Sequence, residues 1–318
     1  MTVRFARAGL TPALLLAACL IASPGFAADA VFPTGSKLGL VPPAGLVPSE
    51  TFRGFEDRTN STAILLVEMP TQAYRDVEKA MTTPALKKQG VTVDKRETVP
   101  LAEGKALLIQ GHQSSEGAKL RKWILIGSTP KATALVTAIV PEDAKKVYPD
   151  TAMRAALVSL AVRGEVPIDE QLKLLPFKLD NRGDMRPFRV EPNTVFLTDG
   201  PKDALEATDQ ALLVVSAAVG GPGETAQRDI FARNLFAGVP GYTDIHIVGT
   251  DVIRLAGTQT HQLLAEGKDS RTGADVKLVQ WLRFGNGAFV RFLGIAKADA
   301  WVEALARFRT VRDNLAAR

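Results

Sequence analysis

Three histidines are the residues of this 318-residue sequence best suited to acid–base or metal chemistry: His112, His246 and His261. No two of them lie four residues apart, as paired ligands on one helical face would. An imidazole titrates near neutral pH, so each could move a proton if a partner stood beside it. The sequence shows no such partner, and we predict that all three are surface or hydrogen-bonded residues. For His246, strand alternation places the side chain on the face opposite to Ile245 and Ile247, toward water.

Three polar segments invite a ligand-binding interpretation. Residues 220–225 are glycine-rich and precede a predicted helix, where backbone amides could hold an anion, but they lack the lysine of a phosphate-binding loop. We predict a flexible loop between a strand and a helix. Residues 180–184 supply oxygen ligands without the alternating spacing of a calcium loop, which favours a hairpin turn. Residues 60–62 match a glycosylation sequon, and we predict a turn before a strand at 63–67.

Catalytic motifs are absent from the sequence. It contains no G-x-S-x-G segment for a nucleophile elbow and no H-E-x-x-H segment for a zinc site. We therefore assign no catalytic, cofactor-binding or metal-ligating residue and no cofactor.

The N-terminal residues have the organisation of a secretory signal peptide. Arg4 and Arg7 precede an apolar stretch at 10–21, which is shorter than the roughly 20 residues that span a bilayer. Gly25 and Ala27 supply the small side chains that signal peptidase accepts. We predict a signal peptide at 1–27, cleavage between Ala27 and Ala28, and a mature periplasmic or secreted protein without a transmembrane segment.

A second interpretation of the same region remains open. Residues 16–19 also fit a lipobox, in which Cys19 would be lipidated and become the N-terminus. The residues after Cys19 stay apolar, whereas a lipoprotein usually turns polar there, so we favour ordinary cleavage. The mature chain would then contain no cysteine, and loss of Arg4 and Arg7 would lower the formal charge from +5 to +3. Its Lys and Arg residues are dispersed, which argues against a nucleic-acid partner.

An internal repeat organises the rest of the sequence. A predicted strand at 119–127 contains Trp123, and a similar strand at 277–285 contains Trp281, 158 residues later. Apolar strands at 132–140 and 288–296 follow them. Earlier buried strands are predicted at 63–67 and 211–215 from their unbroken apolar runs.

Each half also carries predicted helices. In the first half, the helix after the early strand has a stripe of apolar side chains and is predicted to end at Gly90. Its counterpart in the second half is predicted to end at Gly238. Both glycines suit the left-handed conformation that often ends a helix. In the second half, a closing helix is predicted to start after Asp299, which would cap it. The stripes consist of Tyr74, Val77 and Met81, then Ala226, Ile230 and Asn234 with Phe231 and Leu235, and finally Trp301, Leu305, Phe308 and Leu315.

The region at 164–174 separates the two halves. Gly164, Pro167 and a polar run at 169–171 predict a linker, and we place the boundary near residue 168. The predicted domains are 28–168 and 169–318. Because short turns join successive strands, each domain is expected to be an α+β sandwich with a mainly antiparallel six- to seven-stranded sheet covered by helices.

This succession, with the proline turn at 39–45, resembles the PsbP-like fold family, which includes PsbP and DcrB-type envelope proteins. The resemblance covers 35–163 and, more weakly, 175–315, where residues 175–179 replace the proline turn. It implies a binding or accessory domain that docks to a larger assembly. We therefore predict a non-catalytic periplasmic protein that binds an envelope protein partner. Two alternatives remain: an enzyme whose site lies in the inter-domain cleft, which convergent acids, His112 or His261 in that cleft would support, and an envelope structural protein lipid-anchored at Cys19.

Overall fold

The computed structural model describes residues 29–115, 117–202, 209–255, 257–285 and 287–318. The predicted signal peptide at 1–27, with Cys19 and the Ala27–Ala28 cleavage site, lies outside these residues. Within them, no helix combines the length and the hydropathy that a membrane crossing requires.

The first half of the chain consists mainly of strands, with three helices. Its strands are β1 (Leu38–Gly39), β2 (Val47–Pro48), β3 (Gly54–Asp57), β4 (Thr62–Met69), β5 (Val91–Leu101), β6 (Gly104–Ser115), β7 (Ala118–Ser128), β8 (Thr133–Pro141) and β9 (Ala161–Val162). Its α-helices are α1 (Tyr74–Ala80), α2 (Thr83–Lys88) and α3 (Asp150–Val158).

The second half follows the same plan after a short helix, α4 (Ile168–Leu172). Its strands are β10 (Phe177–Leu179), β11 (Arg186–Glu191), β12 (Thr194–Thr198), β13 (Leu212–Val219), β14 (Tyr242–Leu255), β15 (Thr258–Asp269), β16 (Asp275–Gly285), β17 (Ala288–Lys297) and β18 (Leu315–Ala317). Helix α5 (Thr225–Ala237) lies between β13 and β14, and α6 (Trp301–Asp313) follows β17.

Two seven-stranded antiparallel sheets with matching strand order form the architecture. The first sheet has the order β2-β3-β4-β8-β7-β6-β5, and the second has the order β11-β12-β13-β17-β16-β15-β14. Trp123 on β7 and Trp281 on β16 occupy corresponding strands, as the repeat predicted. The predicted α+β fold class is confirmed. Small ladders, β1 with β9 and β10 with β18, close each half.

Strand pairing aligns the two sheets residue by residue. Gln110 pairs with Trp123, and Gln262 pairs with Trp281. One step further, Ile109 pairs with Ile124 and His261 pairs with Leu282. Ile109 and His261 therefore occupy corresponding positions, as do Gln110 and Gln262.

Apolar clusters cover both faces of each sheet. In the first sheet, one cluster packs α3 through Met153 and Leu157, and the other packs α2 through Leu86. In the second sheet, α6 contributes Phe308 to one face and α5 contributes Phe236 to the other. Because helices shield both faces, the strands that carry the tryptophans are buried throughout their centres.

Several local predictions need correction. The segment before Gly90 forms two helices instead of one. Gly90 has a left-handed φ of 79°, as predicted, but Gly238 has a φ of −90°, because α5 turns directly into the segment before β14. Asp299 does not cap α6, whose N-cap is Ala300 with no capping side-chain hydrogen bond. Leu315 lies in β18, since α6 ends at Asp313.

The polar segments have varied outcomes. Residues 220–223 form the loop between β13 and α5, and Asn60 and Ser61 form a turn before β4, both as predicted. Residues 180–184 are not a hairpin turn, because β10 pairs with β18 and β11 pairs with β12.

Candidate functional site

The connection between the two sheets is held by a partly buried ion pair. Arg163 donates from Nη1 and Nη2 to the two carboxylate oxygens of Glu170, at 2.9 and 2.6 Å. The amide of Gly35 donates to the same carboxylate at 3.1 Å, and the guanidinium lies 4.8 Å from the ring centroid of Phe32. The hydrogen bonds from Arg163 hold the pKa of Glu170 below its usual range. This clamp ties the predicted linker to the N-terminal segment of the first half.

Further contacts join the connection to the start of the first half and to the end of the second half. Leu174 lies so close to Gly35 that a Cβ there would approach its Cδ1 to 2.4 Å, and the φ of Gly35 is 73°. Gly35 is favoured by this left-handed backbone conformation, and a larger residue there would also displace the exposed side chain of Leu174. At the C-terminus, Arg318 donates to the carbonyls of Leu172 and Lys173. The connection is thus a structured element that contains α4.

A cavity of about 520 Å³ opens beside this connection, and we call it the junction cavity. Its lining comes from the start of the first half (Gly35, Lys37), from the residue before β3 (Arg53), from the connection (Gly164, Glu165, Val166, Gln171, Leu174, Leu175), from the end of β11 (Val190, Glu191) and from the turn that follows it (Pro192, Asn193). Both halves contribute side chains, so the cavity exists only while the two are joined in this arrangement.

Some charged groups of the junction cavity are already paired within the protein, and others are not. Lys37 lies 3.4 Å from Glu68, and Glu191 pairs with Arg189. Arg53 and Glu165 are exposed and form no side-chain hydrogen bond or ion pair with the described residues. Among the residues that the structure describes, one unpaired cation and one unpaired carboxylate therefore flank a lining that includes Leu174, which is 55% exposed. Such a cavity can bind a ligand that combines an apolar portion with charges of both signs.

No histidine lines the junction cavity. His112 Nδ1 lies 3.0 Å from Asp94 Oδ2 on the edge of the first sheet, and His246 is exposed, 3.6 Å from Glu266, in agreement with the alternation prediction. Convergent acids, His112 or His261 in the inter-domain cleft would have supported the enzyme hypothesis, and neither histidine lines the junction cavity.

His261 contradicts its prediction as a surface or hydrogen-bonded residue. It is 4% exposed on β15, its Nε2 is buried without a hydrogen-bond partner, and its ring meets that of Phe284 edge-on at 5.8 Å. Burial, and next Arg228, lower the pKa of His261, while Asp229 opposes the shift. Strand alternation with Leu263 and Ala265 could have predicted this burial, because all three share one face of β15.

A second, charged depression lies on the second sheet around Glu266. Its ionic groups neutralise one another: Lys277 lies 3.1 Å from Glu266, and Lys268 lies 2.7 Å from Asp275. This leaves little charge for a ligand. Across the described part of the chain, no three His, Cys, Asp or Glu side chains converge in a way that could hold a metal ion.

Comparison with known proteins gives no family and no curated relative. No family model matches the sequence, and no curated protein matches it. Among solved structures, the chain is similar to LpqN, involved in cell envelope biogenesis of Mycobacterium tuberculosis, with 16% identity over 44% of this chain and 81% of that chain and a TM-score of 0.34. It is also similar to the cyanobacterial PsbP protein CyanoP of Synechocystis, with 12% identity over 45% and 91% and a TM-score of 0.29.

Some of the similarities extend over both halves. The immunity protein TplEi of the T6SS from Pseudomonas aeruginosa, complexed with an "L" peptide, has 9% identity over 91% of this chain and 98% of that chain, with a TM-score of 0.29. The fold assignment for this chain rests on its own strand order.

Proposed function

We propose that this chain is an extracytoplasmic binding or accessory protein, built from two PsbP-like domains at 28–168 and 169–318, that docks an envelope protein partner at the junction cavity. The observation that carries the proposal is the cavity itself: both halves line it, and it presents exposed Leu174 beside the unpaired charges of Arg53 and Glu165. A polypeptide segment offers the matching combination of apolar and charged side chains.

The geometry of the connection supports a binding role. Because the Arg163–Glu170 pair and the Gly35–Leu174 contact fix the connection, the cavity is formed before a ligand arrives. A preformed site loses less conformational entropy on binding than one that must be ordered.

Affinity capture from the native envelope tests this function. The chain should recover a reproducible partner, and Leu174→Asp and Arg53→Ala should each weaken the purified complex by roughly tenfold or more, as expected for central interface residues. Val302→Asp and Arg309→Ala are matched controls, because both residues are exposed on α6 and lie outside the cavity.

Two results would contradict the proposal. One is clean material with no reproducible companion. The other is a partner whose affinity for the cavity variants equals that for the control variants.

A further inference from the structure

A small cavity lies beside the β10–β18 ladder, and we call it the ladder cavity. Its volume is about 220 Å³, and it shares only Leu175 with the junction cavity. Its charged lining consists of Lys173, Lys178, Arg182 and Arg318, with Asp180 as the one acidic side chain. The lining therefore carries an excess of positive charge.

The register of the ladder shows which of these side chains share a face. Lys178 pairs with Ala316. At the end of the ladder, the amide of Arg318 donates to the carbonyl of Pro176 at 3.4 Å. Because every second side chain of a strand points to the same face, Lys178 and Arg318 lie on one face of the ladder. Phe177 points to the other face and belongs to the apolar core of the second half.

No carboxylate of the described residues forms an ion pair with these cations. Lys178 and Arg182 form no side-chain hydrogen bond or ion pair there, and Arg182 is half-buried. Lys173 acts electrostatically on Glu170, whose pKa it helps to lower, but the two form no ion pair. The guanidinium of Arg318 donates to two main-chain carbonyls at the end of α4, which carry no net charge.

The first half holds a carboxylate at the corresponding place. The amide of Arg163 donates to the carbonyl of Lys37 at 3.0 Å, opposite the residue before β1. Arg318 stands in the same way opposite Pro176, the residue before β10, so the two arginines correspond. Arg163 holds both oxygens of the Glu170 carboxylate, whereas Arg318 holds no carboxylate of the described residues. An external carboxylate would complete in the second half the arrangement that Glu170 completes in the first.

We propose that the ladder cavity binds a carboxylate group of an external ligand. The guanidinium groups of Arg318 and Arg182 would donate to its two oxygens, and the ammonium group of Lys178 would lie beside them. Asp180 opposes a second negative charge on the ligand, which favours a monoanionic carboxylate over hydrogen phosphate.

An amide NMR titration of the full chain with sodium propionate at constant ionic strength tests this site. We expect saturable shifts confined to α4, β10 and residues 180–182. Lys178→Gln removes one cation and should weaken binding roughly tenfold, as expected for a hydrogen bond to a charged group. Lys105→Gln is the matched control, because Lys105 is an exposed lysine on β6 and lies outside the cavity. Since Lys178 is exposed as well, its substitution should leave the fold intact.

A variant with a guanidinium removed gives a second measurement. Arg182→Gln should also weaken propionate binding roughly tenfold. Arg309→Gln, at an exposed arginine of α6 outside the cavity, should leave the affinity unchanged.

Neutral and dianionic probes separate carboxylate recognition from general contact. Propionamide has nearly the same shape without the charge and should cause no saturable shift. Equal binding of propionate and propionamide would overturn the proposal, as would absent saturation, tighter binding of inorganic phosphate, or unchanged affinity of Lys178→Gln. Nα-acetyl-aspartate methylamide distinguishes the source of the carboxylate: binding at least as tight as that of propionate supports an acidic side chain of a protein partner, and weaker binding supports a small free acid. Both results support a carboxylate site.

Discussion

Replacing His261 by isoleucine should stabilise the protein, because the corresponding position of the first sheet already holds Ile109 in an apolar cluster. The substitution removes a buried, unpaired imidazole nitrogen, and such a group destabilises a fold by about 1–3 kcal/mol. For a domain of this size, each kcal/mol corresponds to roughly 2–4 °C in Tm. We therefore expect His261→Ile to raise Tm by roughly 2–12 °C.

The pH dependence of this gain has a definite sign. Because the pKa of His261 is lowered in the folded state, the unfolded chain takes up the proton first as pH falls through about 6.5. The wild-type chain loses stability from there down to the folded-state pKa, and His261→Ile does not. Arg228 and Asp229 on α5 are the charged groups that act on the ring, and they are the same in both proteins. The gain should therefore grow between pH 7 and pH 5.

Urea unfolding at several pH values measures both effects. His246→Gln is the control, because His246 is exposed on the neighbouring strand and should change the free energy of unfolding by no more than about 0.5 kcal/mol. A destabilised His261→Ile variant, or a gain that stays constant with pH, would show that the imidazole is paired in solution and would refute the reasoning.

Three further predictions concern packing, a polar network and export. Gly294→Ala should destabilise the second half by about 1–3 kcal/mol, because its Cβ would lie 2.4 Å from Phe308 Cδ2. Gly285→Ala is the control, because a Cβ there meets open space and should leave the free energy of unfolding almost unchanged. Urea unfolding compares the two variants. Gln280→Leu should lower the free energy of unfolding by about 2–4 kcal/mol, because it leaves the Ala232 carbonyl and Arg291 Nε without their hydrogen-bond partner. Equal stability of the variant and the wild type in the same assay would contradict this prediction. Mass analysis of the exported protein should find a free N-terminus at Ala28, and a diacylglyceryl group on Cys19 would instead establish the lipid-anchored form.

Sequence patterns predicted the parts of the fold that depend on one or two strongly periodic elements. The tryptophan strands and their place in two similar sheets follow from local apolar patterning, which survives in both halves. The cap of α6 and the ladder between β10 and β18 could not be predicted, because they depend on where the chain returns in three dimensions. The junction cavity was anticipated only as a cleft between domains. Its charged residues, Arg53 and Glu165, are distant in sequence and line one cavity only in the folded chain.

Residue-level differences between the two sheets fall on the face that carries α5. Lys122 and Thr137 of the first sheet correspond to Gln280 and Arg291 of the second, by their pairing around the tryptophans. Gln280 donates to the carbonyl of Ala232 at 2.9 Å, and Arg291 donates to that of Leu235 at 3.0 Å, so α5 is attached to its sheet by buried hydrogen bonds.

These bonds fix the C-terminal half of α5. Its N-terminal half, with Thr225 and Asp229, lines a cavity of about 280 Å³ between α5 and β14 whose lining includes His261. Arg228 holds this half as well, because its guanidinium donates to the carbonyls of Pro222 and Gly223 and lies over Phe284 at 4.8 Å. Gln280 and Arg291 therefore lie on the same face of the second sheet as His261, and on this face the second sheet departs from the first.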